Sequence, residues 1–394
     1  MTAGTFRGPV LFSYAFRPFF LAAALWAVVD VAVWMGLFAH GGALPSRFDT
    51  LSWHIHEMLF GFVMAAIAGF LLTAVANWTG RPPVRGMLLA VLVLLWALGR
   101  LACWYSALIP APLAILADLA LPLLLAAVVA REVVAARNWR NIVMVAPVLV
   151  LAGANLLMYC EAIGGPVAAG LGWRLGVAAI LVLISAIGGR IIPAFTRNWL
   201  AKTGQPGPAP HGAVDRLALA TLHIALLLWA FFPDFSGSGA MLLLAALFNG
   251  WRLSRWRGGK TCAEPMLLIL HVGYGWLVFG VALLGLVASG WPLPIAVPVS
   301  AALHSLTAGT IGTMILAVMT RVSRGHTGRA LTADTVTVII YLLISAAAVT
   351  RVLAAFGIWN IALLMVAALL WAGAFLLFLV AYGPLLLQPR ADTK

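Results

Sequence analysis

Long apolar segments constrain this chain more than any other feature, because runs of about 20 apolar residues recur along its whole length and each can cross a bilayer as a helix. Hydrophobic residues make up 64% of the chain and charged residues 9%, whereas a soluble domain is roughly half apolar and a quarter charged. The sequence therefore predicts an all-α polytopic membrane protein with one membrane domain over residues 1–394. We predict twelve spans, at approximately 19–39, 54–76, 87–107, 111–130, 142–160, 172–192, 214–232, 238–253, 265–288, 295–320, 333–356 and 358–383.

The placement of lysine and arginine predicts the orientation of these spans. With twelve spans, 20 of the 24 Lys and Arg residues fall on the side that holds both termini. By the positive-inside rule, both termini and the longest connection, about 196–215, are predicted to be cytoplasmic. The net charge of +13 is then a topology signal, and it requires no nucleic-acid partner.

The chain also contains an internal repeat. A shift of 248 residues places His56 on His304, Gly61 on Gly309, and Thr79-Gly80-Arg81 on Thr327-Gly328-Arg329. The end of the sixth span resembles the end of the second. Spans two, six and ten are thus predicted to be equivalent, which indicates three four-helix units.

The stretch Trp53–Phe62 has two histidines and a glutamate at the start of an apolar run: His54, His56 and Glu57. Ionisable groups are costly in a membrane, and metal or haem ligation is the leading explanation for them here. His54 and Glu57 are three residues apart and should share a helix face that excludes His56. We therefore expect one histidine to bind metal and the other to bond to a carboxylate, a propionate or the backbone.

Other polar residues within the predicted spans are open to two interpretations. His304 lies about 13 Å inside its span if the helix has the usual α-helical rise per residue. His223 and His271 are each either a metal ligand or an interhelical hydrogen-bond donor. Arg351 could hold a haem propionate or a structural carboxylate. Asp30 is a proton relay or a structural hydrogen-bonding group.

Two further predictions concern the remaining groups. Arg100 and Asp118 lie at matching depth in adjacent spans, so we expect them to form an ion pair. The three cysteines, Cys103, Cys160 and Cys262, are far apart with no CxxC or CxxCH motif. That spacing argues against thiolate zinc, iron–sulfur clusters and covalent haem. Buried imidazoles with open nitrogens suit haem iron and copper, and haem b needs only non-covalent axial histidines, so haem b and copper are the candidate cofactors.

Several motifs resemble those of the NnrS family of bacterial membrane proteins. The matching segments run over nearly the full chain and are Phe16–Phe20, Trp53–Phe62, Ala68–Ala74, Asn77–Pro82, Gly189–Asn198, Leu303–Gly309, Met319–Arg321 and Gly325–Arg329. The resemblance implies a bacterial inner-membrane protein of about twelve helices that carries haem and copper and is linked to denitrification and nitric oxide resistance. It also implies that His54, His56 and His304 are the ligand candidates, and it adds His326 as part of a family motif.

Three functions remain open from the sequence. The first is a haem/copper oxidoreductase that turns over nitric oxide, with Asp30 and Glu57 on the proton path and a quinol or cytochrome as electron donor. The second is a non-catalytic protein that binds nitric oxide and protects the cell. The third is a transporter of a metal ion or small molecule, which is disfavoured because the ionisable groups cluster near the outer face rather than the midplane.

Overall fold

The fold consists of long helices, as the apolar runs predict. The computed structural model describes residues 8–292, 294–357 and 359–391, and these residues contain no strand. Arg7 and Lys394, both used in the charge count, lie outside the described residues. We number the twelve long helices α1 Phe16–His40, α2 Thr50–Thr79, α3 Met87–Trp104, α4 Ala111–Ala135, α5 Val145–Ala162, α6 Leu171–Lys202, α7 Ala213–Phe231, α8 Ser236–Ser254, α9 Pro265–Ser289, α10 Val299–His326, α11 Thr335–Ala355 and α12 Asn360–Leu387.

Among the described residues, eleven of these helices are long and apolar enough to cross a membrane. The exception is α8, whose 19 residues begin with Ser236-Gly-Ser-Gly and end near Arg252. Its apolar centre is short for a bilayer core of about 30 Å. The prediction of an all-α membrane protein with about twelve helices is confirmed, and the orientation of the termini stays a prediction.

The connection after α6 is shorter than predicted. The expected linker began at Thr196, but α6 continues through Pro193 and ends at Lys202. A proline removes one helical hydrogen bond without ending a membrane helix when neighbouring groups compensate. Gly204 follows with a φ of 66°, a left-handed conformation that glycine adopts easily and that ends helices.

The described residues divide into two compact units. The first comprises the described residues up to Gly176, Met319–Ala330, and the segment from Phe375 onward. The second comprises Val177–Val318 and Leu331–Ala374. Within the first, Arg17 Nη1 donates to the carbonyls of Leu386 and Gln388, both at 2.7 Å, so a buried arginine satisfies carbonyls at the end of α12 that lack intrahelical partners.

The helix boundaries follow the predicted repeat. Shifted by 248 residues, the first residues of α1, α2, α3 and α4 each fall within one residue of the start of α9, α10, α11 and α12. The match covers four helices and three connections. It supports the predicted equivalence of the first and third four-helix segments, whereas the assignment of α5–α8 as a third copy stays a prediction.

The two equivalent helices α2 and α10 share an irregular stretch. Each changes to π-helical geometry immediately after its histidine, over Glu57–Val63 in α2 and Ser305–Gly312 in α10. In each, a glycine lies under a tryptophan of the preceding helix. A Cβ on Gly61 would lie 2.5 Å from Trp26 Nε1, and one on Gly309 would lie 2.7 Å from Trp276 Cδ2.

These close approaches give a testable consequence. We expect Gly61→Ala to destabilise the protein by about 1–3 kcal/mol, because the added methyl group overlaps the buried Nε1 edge of the half-buried Trp26 ring. Gly36→Ala is the matched control, since a Cβ at this α1 position meets nothing within 4 Å. Thermal unfolding of the purified variants in detergent measures the difference, and equal midpoints for both variants would contradict the packing constraint.

Candidate metal centre

The helix that carries the central histidines begins with a well-formed cap. Asp49 Oδ1 accepts hydrogen bonds from the backbone amides of Leu51 at 2.9 Å and Ser52 at 3.0 Å. Partial burial raises the pKa of Asp49, but the hydrogen bond that the Ser52 hydroxyl donates to Oδ2 at 2.5 Å and these amide hydrogen bonds lower it more, so its pKa lies below the usual range. The capped first turn fixes the direction in which the next residues project from α2.

Three side chains with different donor atoms meet behind this first turn. His56 Nδ1 lies 3.2 Å from Glu57 Oε1 and 3.4 Å from Cys103 Sγ. All three side chains are buried, and the three ligand atoms lie within 4.8 Å of one another. The group therefore presents an imidazole nitrogen, a carboxylate oxygen and a thiol sulfur to one small volume.

Arg100 on α3 pairs with two carboxylates at this group. Its Nη1 donates to Glu57 Oε1 at 2.5 Å, and its Nη2 donates to Asp118 Oδ1 on α4. The predicted ion pair between Arg100 and Asp118 is thus confirmed, and Glu57 is a second partner. Buried carboxylates need such a cation to stay ionised away from water.

The second ring nitrogen of His56 faces acceptors only. Nε2 lies 3.1 Å from Asp118 Oδ2 and 3.1 Å from Asn155 Oδ1 on α5. The Asn155 amide nitrogen donates to the same Asp118 oxygen at 3.2 Å, which fixes the amide orientation. Nε2 must therefore carry a proton, and in neutral imidazole the lone pair is on Nδ1, facing Glu57 and Cys103.

Aromatic rings enclose this imidazole. Phe48 stacks on His56 with ring centroids 4.7 Å apart, Phe60 lies at 5.0 Å, and Tyr159 packs edge-on at 5.4 Å. The fully buried Tyr159 hydroxyl and Glu57 Oε2 have no hydrogen-bond partner within the described part of the chain. Buried polar atoms are rarely unpaired, so these two point to a bound group or water at this position.

His54 points in a different direction from His56. Its Nδ1 contacts Asp30 Oδ1 on α1 at 2.5 Å, and Trp34 stacks on its ring at 4.7 Å. The expected divergence of the two histidines is confirmed, but the expectation that Glu57 accompanies His54 is wrong. Glu57 starts the π-helical stretch, which changes the angle between successive residues, and the charge of Arg100 draws its carboxylate toward His56.

The other predicted ligands lie in the second unit. His304 Nδ1 bonds to the Ser300 carbonyl at 2.8 Å, and His223 Nδ1 bonds to the Leu219 carbonyl at 2.6 Å. In each case the ring hydrogen-bonds the carbonyl one turn earlier, which places the lone pair on Nε2.

Two further predicted residues of the second unit differ in how well their polar atoms are satisfied. His271 is buried, with Nδ1 at 3.1 Å from the Leu267 carbonyl and Nε2 at 3.4 Å from Thr196 Oγ1. Both ring nitrogens have protein partners, which favours a structural role. Arg351 is partly buried and makes no ion pair or hydrogen bond with the rest of the described chain.

Three residues of the centre were absent from the predicted set: Cys103, Asn155 and Tyr159. Cys103 was set aside because the chain has no paired-cysteine motif. A signal was nevertheless present, since Cys103 lies three residues after Arg100 and therefore on the same face of α3. Asn155 and Tyr159 are four residues apart on α5, but nothing in the sequence alone places α5 beside α2.

The charge balance at this centre predicts the effect of removing its cation. We expect Arg100→Met to destabilise the protein by about 3–5 kcal/mol, because two buried carboxylates lose their partner. Arg131→Met is the control, since that guanidinium also pairs with a glutamate, Glu132, but its side chain is 58% exposed and such a pair contributes about 0–1 kcal/mol. Denaturant or thermal unfolding in detergent separates the two, and similar losses would contradict this account.

Comparisons with known proteins agree with the motifs. A family model described as NnrS protein matches residues 10–390, whereas no curated protein matches the chain significantly. The family match includes every residue of the centre and all twelve helices. The chain therefore belongs to the NnrS family, which supports a membrane protein with a function related to nitric oxide.

Proposed function

We propose that this protein is a bacterial inner-membrane protein that binds haem b and copper and acts on nitric oxide. Its action would be to bind and detoxify nitric oxide in the response to nitrosative stress and denitrification, with reduction of nitric oxide as the proposed reaction. Family membership supports the nitric oxide connection. The observation that carries the metal proposal is the buried group of His56, Glu57 and Cys103.

The spacing of this group fits a transition metal. Bonds of about 2.0 Å to nitrogen or oxygen and 2.3 Å to sulfur place neighbouring tetrahedral ligands about 3.3–3.5 Å apart. The separations from His56 Nδ1 are 3.2 Å to the carboxylate and 3.4 Å to the thiol. Imidazole and thiolate together suit copper, and Asp118 behind His56 would orient the ring as carboxylates do at metal sites.

His54 in the first unit and His304 in the second are each proposed to bind haem. Asp30 holds the His54 ring through Nδ1, and no described residue hydrogen-bonds the Nε2 of His54. The Ser300 carbonyl accepts a hydrogen bond from Nδ1 of His304 and so orients that ring. Non-covalent ligation of this kind is sufficient for haem b. His223 and Arg351 are secondary candidates for binding haem or its propionates, and His271 ranks last because both of its ring nitrogens have partners.

The surrounding residues would exclude water and stabilise a bound diatomic molecule. Phe48 and Phe60 form apolar walls beside His56, against which an uncharged gas could bind. The buried Tyr159 hydroxyl has no partner in the described chain and would donate a hydrogen bond to a diatomic molecule held there. A bound redox metal would supply an open coordination position and electrons. A quinol or cytochrome would be the source of those electrons. Asp30 and Glu57 are the proposed groups for proton supply.

Kinetics with the purified protein decide between the two main functions. Reduced holoprotein supplied with an electron donor should consume many equivalents of nitric oxide if it is an enzyme. A single stoichiometric spectral change, with cellular protection but no continued consumption, would instead identify a binding protein. Full protection by a haem- and copper-free preparation would contradict both and favour transport.

Metal content tests the ligand assignments directly. We expect His56→Ala to lose copper, and His54→Ala and His304→Ala to lose haem or show a changed haem spectrum. His211→Ala is the control, because this side chain is 61% exposed and lies 3.8 Å from Asp215, which is not part of the proposed sites. Elemental analysis and reduced-minus-oxidised spectra measure the contents, and full haem and copper in all three variants would overturn the assignments.

The Tyr159 hydroxyl provides a separate test. We expect Tyr159→Phe to keep its copper and haem but release nitric oxide about fivefold faster, since one hydrogen bond contributes about 1 kcal/mol. Tyr105→Phe is the matched control, because that side chain is 47% exposed at the end of α3. An unchanged dissociation rate in Tyr159→Phe would show that its hydroxyl does not contact the ligand.

A further inference from the structure

We infer that copper is bound through the thiolate of Cys103, together with His56 and Glu57, in a site that is complete within the first unit and does not include His304. This inference rests on the proposed function only in requiring that the protein carries copper. It assigns a ligand, Cys103, that was not among the residues predicted from the sequence, and it separates His56 from His304, which otherwise appear as equivalent positions of a repeat.

Few donors serve the three facing atoms. Nε2 of His56 donates to Asp118 and Asn155, so in neutral imidazole Nδ1 faces Glu57 Oε1 and Cys103 Sγ with a lone pair. A carboxylate oxygen is an acceptor only, and Arg100 Nη1 donates to this one at 2.5 Å. A neutral His56 then leaves the thiol proton as the donor shared among these three atoms, and acceptors at 3.2 and 3.4 Å are stabilised further when a cation lies among them.

Charge balance also favours a cation here. With the neutral His56 that metal ligation requires, Glu57 and Asp118 contribute two negative charges and Arg100 one positive charge, which leaves one excess negative charge in a buried site. When a cuprous ion binds, the S–H bond of Cys103 breaks, its proton leaves to solvent, and a sulfur–copper bond forms with no change in net charge or oxidation state. A cupric ion bound in the same way makes the site neutral, which lowers the cost of burying it.

The two copies of the repeat differ in the residues around the equivalent histidines His56 and His304. Under the shift of 248 residues, Ser305 stands at the position of Glu57, and Arg351 stands at the position of Cys103. The positions of Arg100 and Asp118 are taken by Ala348 and Val366. The third four-helix segment thus repeats the histidine but none of its companion donors, and it has a cation where the first segment has a thiol.

The same comparison shows that the charged group is not required by the fold. α9–α12 adopt the helix starts and the π-helical stretch of α1–α4 without any of these charges. Buried charges cost free energy that the fold must offset. Their restriction to one copy therefore indicates a ligand that the first segment binds and the third does not bind in the same way.

The experiment uses the full-length protein, purified in detergent, depleted of copper and reloaded with Cu⁺ or Cu²⁺. We expect Cys103→Ser to lower the copper affinity at least about tenfold while its haem content is unchanged. Cys262→Ser is the matched control, because that thiol is exposed and should have no effect on copper. His304→Asn should also retain full copper.

X-ray absorption at the copper edge of the unmodified protein gives a readout that does not depend on how the variants fold. We expect one sulfur scatterer at about 2.3 Å with nitrogen or oxygen scatterers at about 2.0 Å. Copper with only nitrogen and oxygen neighbours, or full copper in Cys103→Ser, would overturn the thiolate inference and leave the proposed function standing. Failure of the unmodified protein to bind either copper ion would overturn the copper part of the proposed function itself.

Discussion

The Arg100 guanidinium is the interaction on which the rest of the centre depends. Its side chain is only 4% exposed, and it binds Glu57 on α2 and Asp118 on α4 at the same time. Two buried carboxylates could not remain ionised in an apolar interior without it. Asp118 in turn holds Nε2 of His56 and the amide of Asn155 on α5, so one cation on α3 fixes the relative positions of side chains from four helices.

The π-helical stretch of α2 is what brings adjacent residues of one chain to the same site. In a regular α-helix neighbouring side chains diverge by about 100°, and residues three or four apart share a face. Here His56 and Glu57 are consecutive yet their polar atoms lie 3.2 Å apart, at the point where the π-helical geometry begins. Single π-helical turns are uncommon and are often found at functional sites, and this one recurs in α10 directly after His304.

The sequence predicted the fold well because helix location in a membrane depends mainly on apolar length, which can be counted. It also predicted the Arg100–Asp118 pair, because a hairpin brings matching depths together without any knowledge of other contacts. It predicted less of the site. Cys103, Asn155 and Tyr159 take their roles from the packing of α3 and α5 against α2, and no local pattern reports that packing. The partner of Glu57 was wrong because periodicity assumes a regular α-helix at that residue.

The repeat gives a physical reason to regard the buried charges as functional rather than structural. Asp30, Glu57, Arg100 and Asp118 all have uncharged counterparts in the third segment, namely Val278, Ser305, Ala348 and Val366. Since both segments form equivalent helices, apolar residues are sufficient to build this architecture, and replacing a buried ion pair by apolar residues is often neutral or stabilising. A chain that retains four buried charges in only one of two equivalent positions must gain something other than stability from them. The proposed ligand binding at His56 would account for that asymmetry, because the charges orient the imidazole and would balance the charge of a metal ion, and because Glu57 Oε2 and the Tyr159 hydroxyl are buried without a hydrogen-bond partner in the described chain.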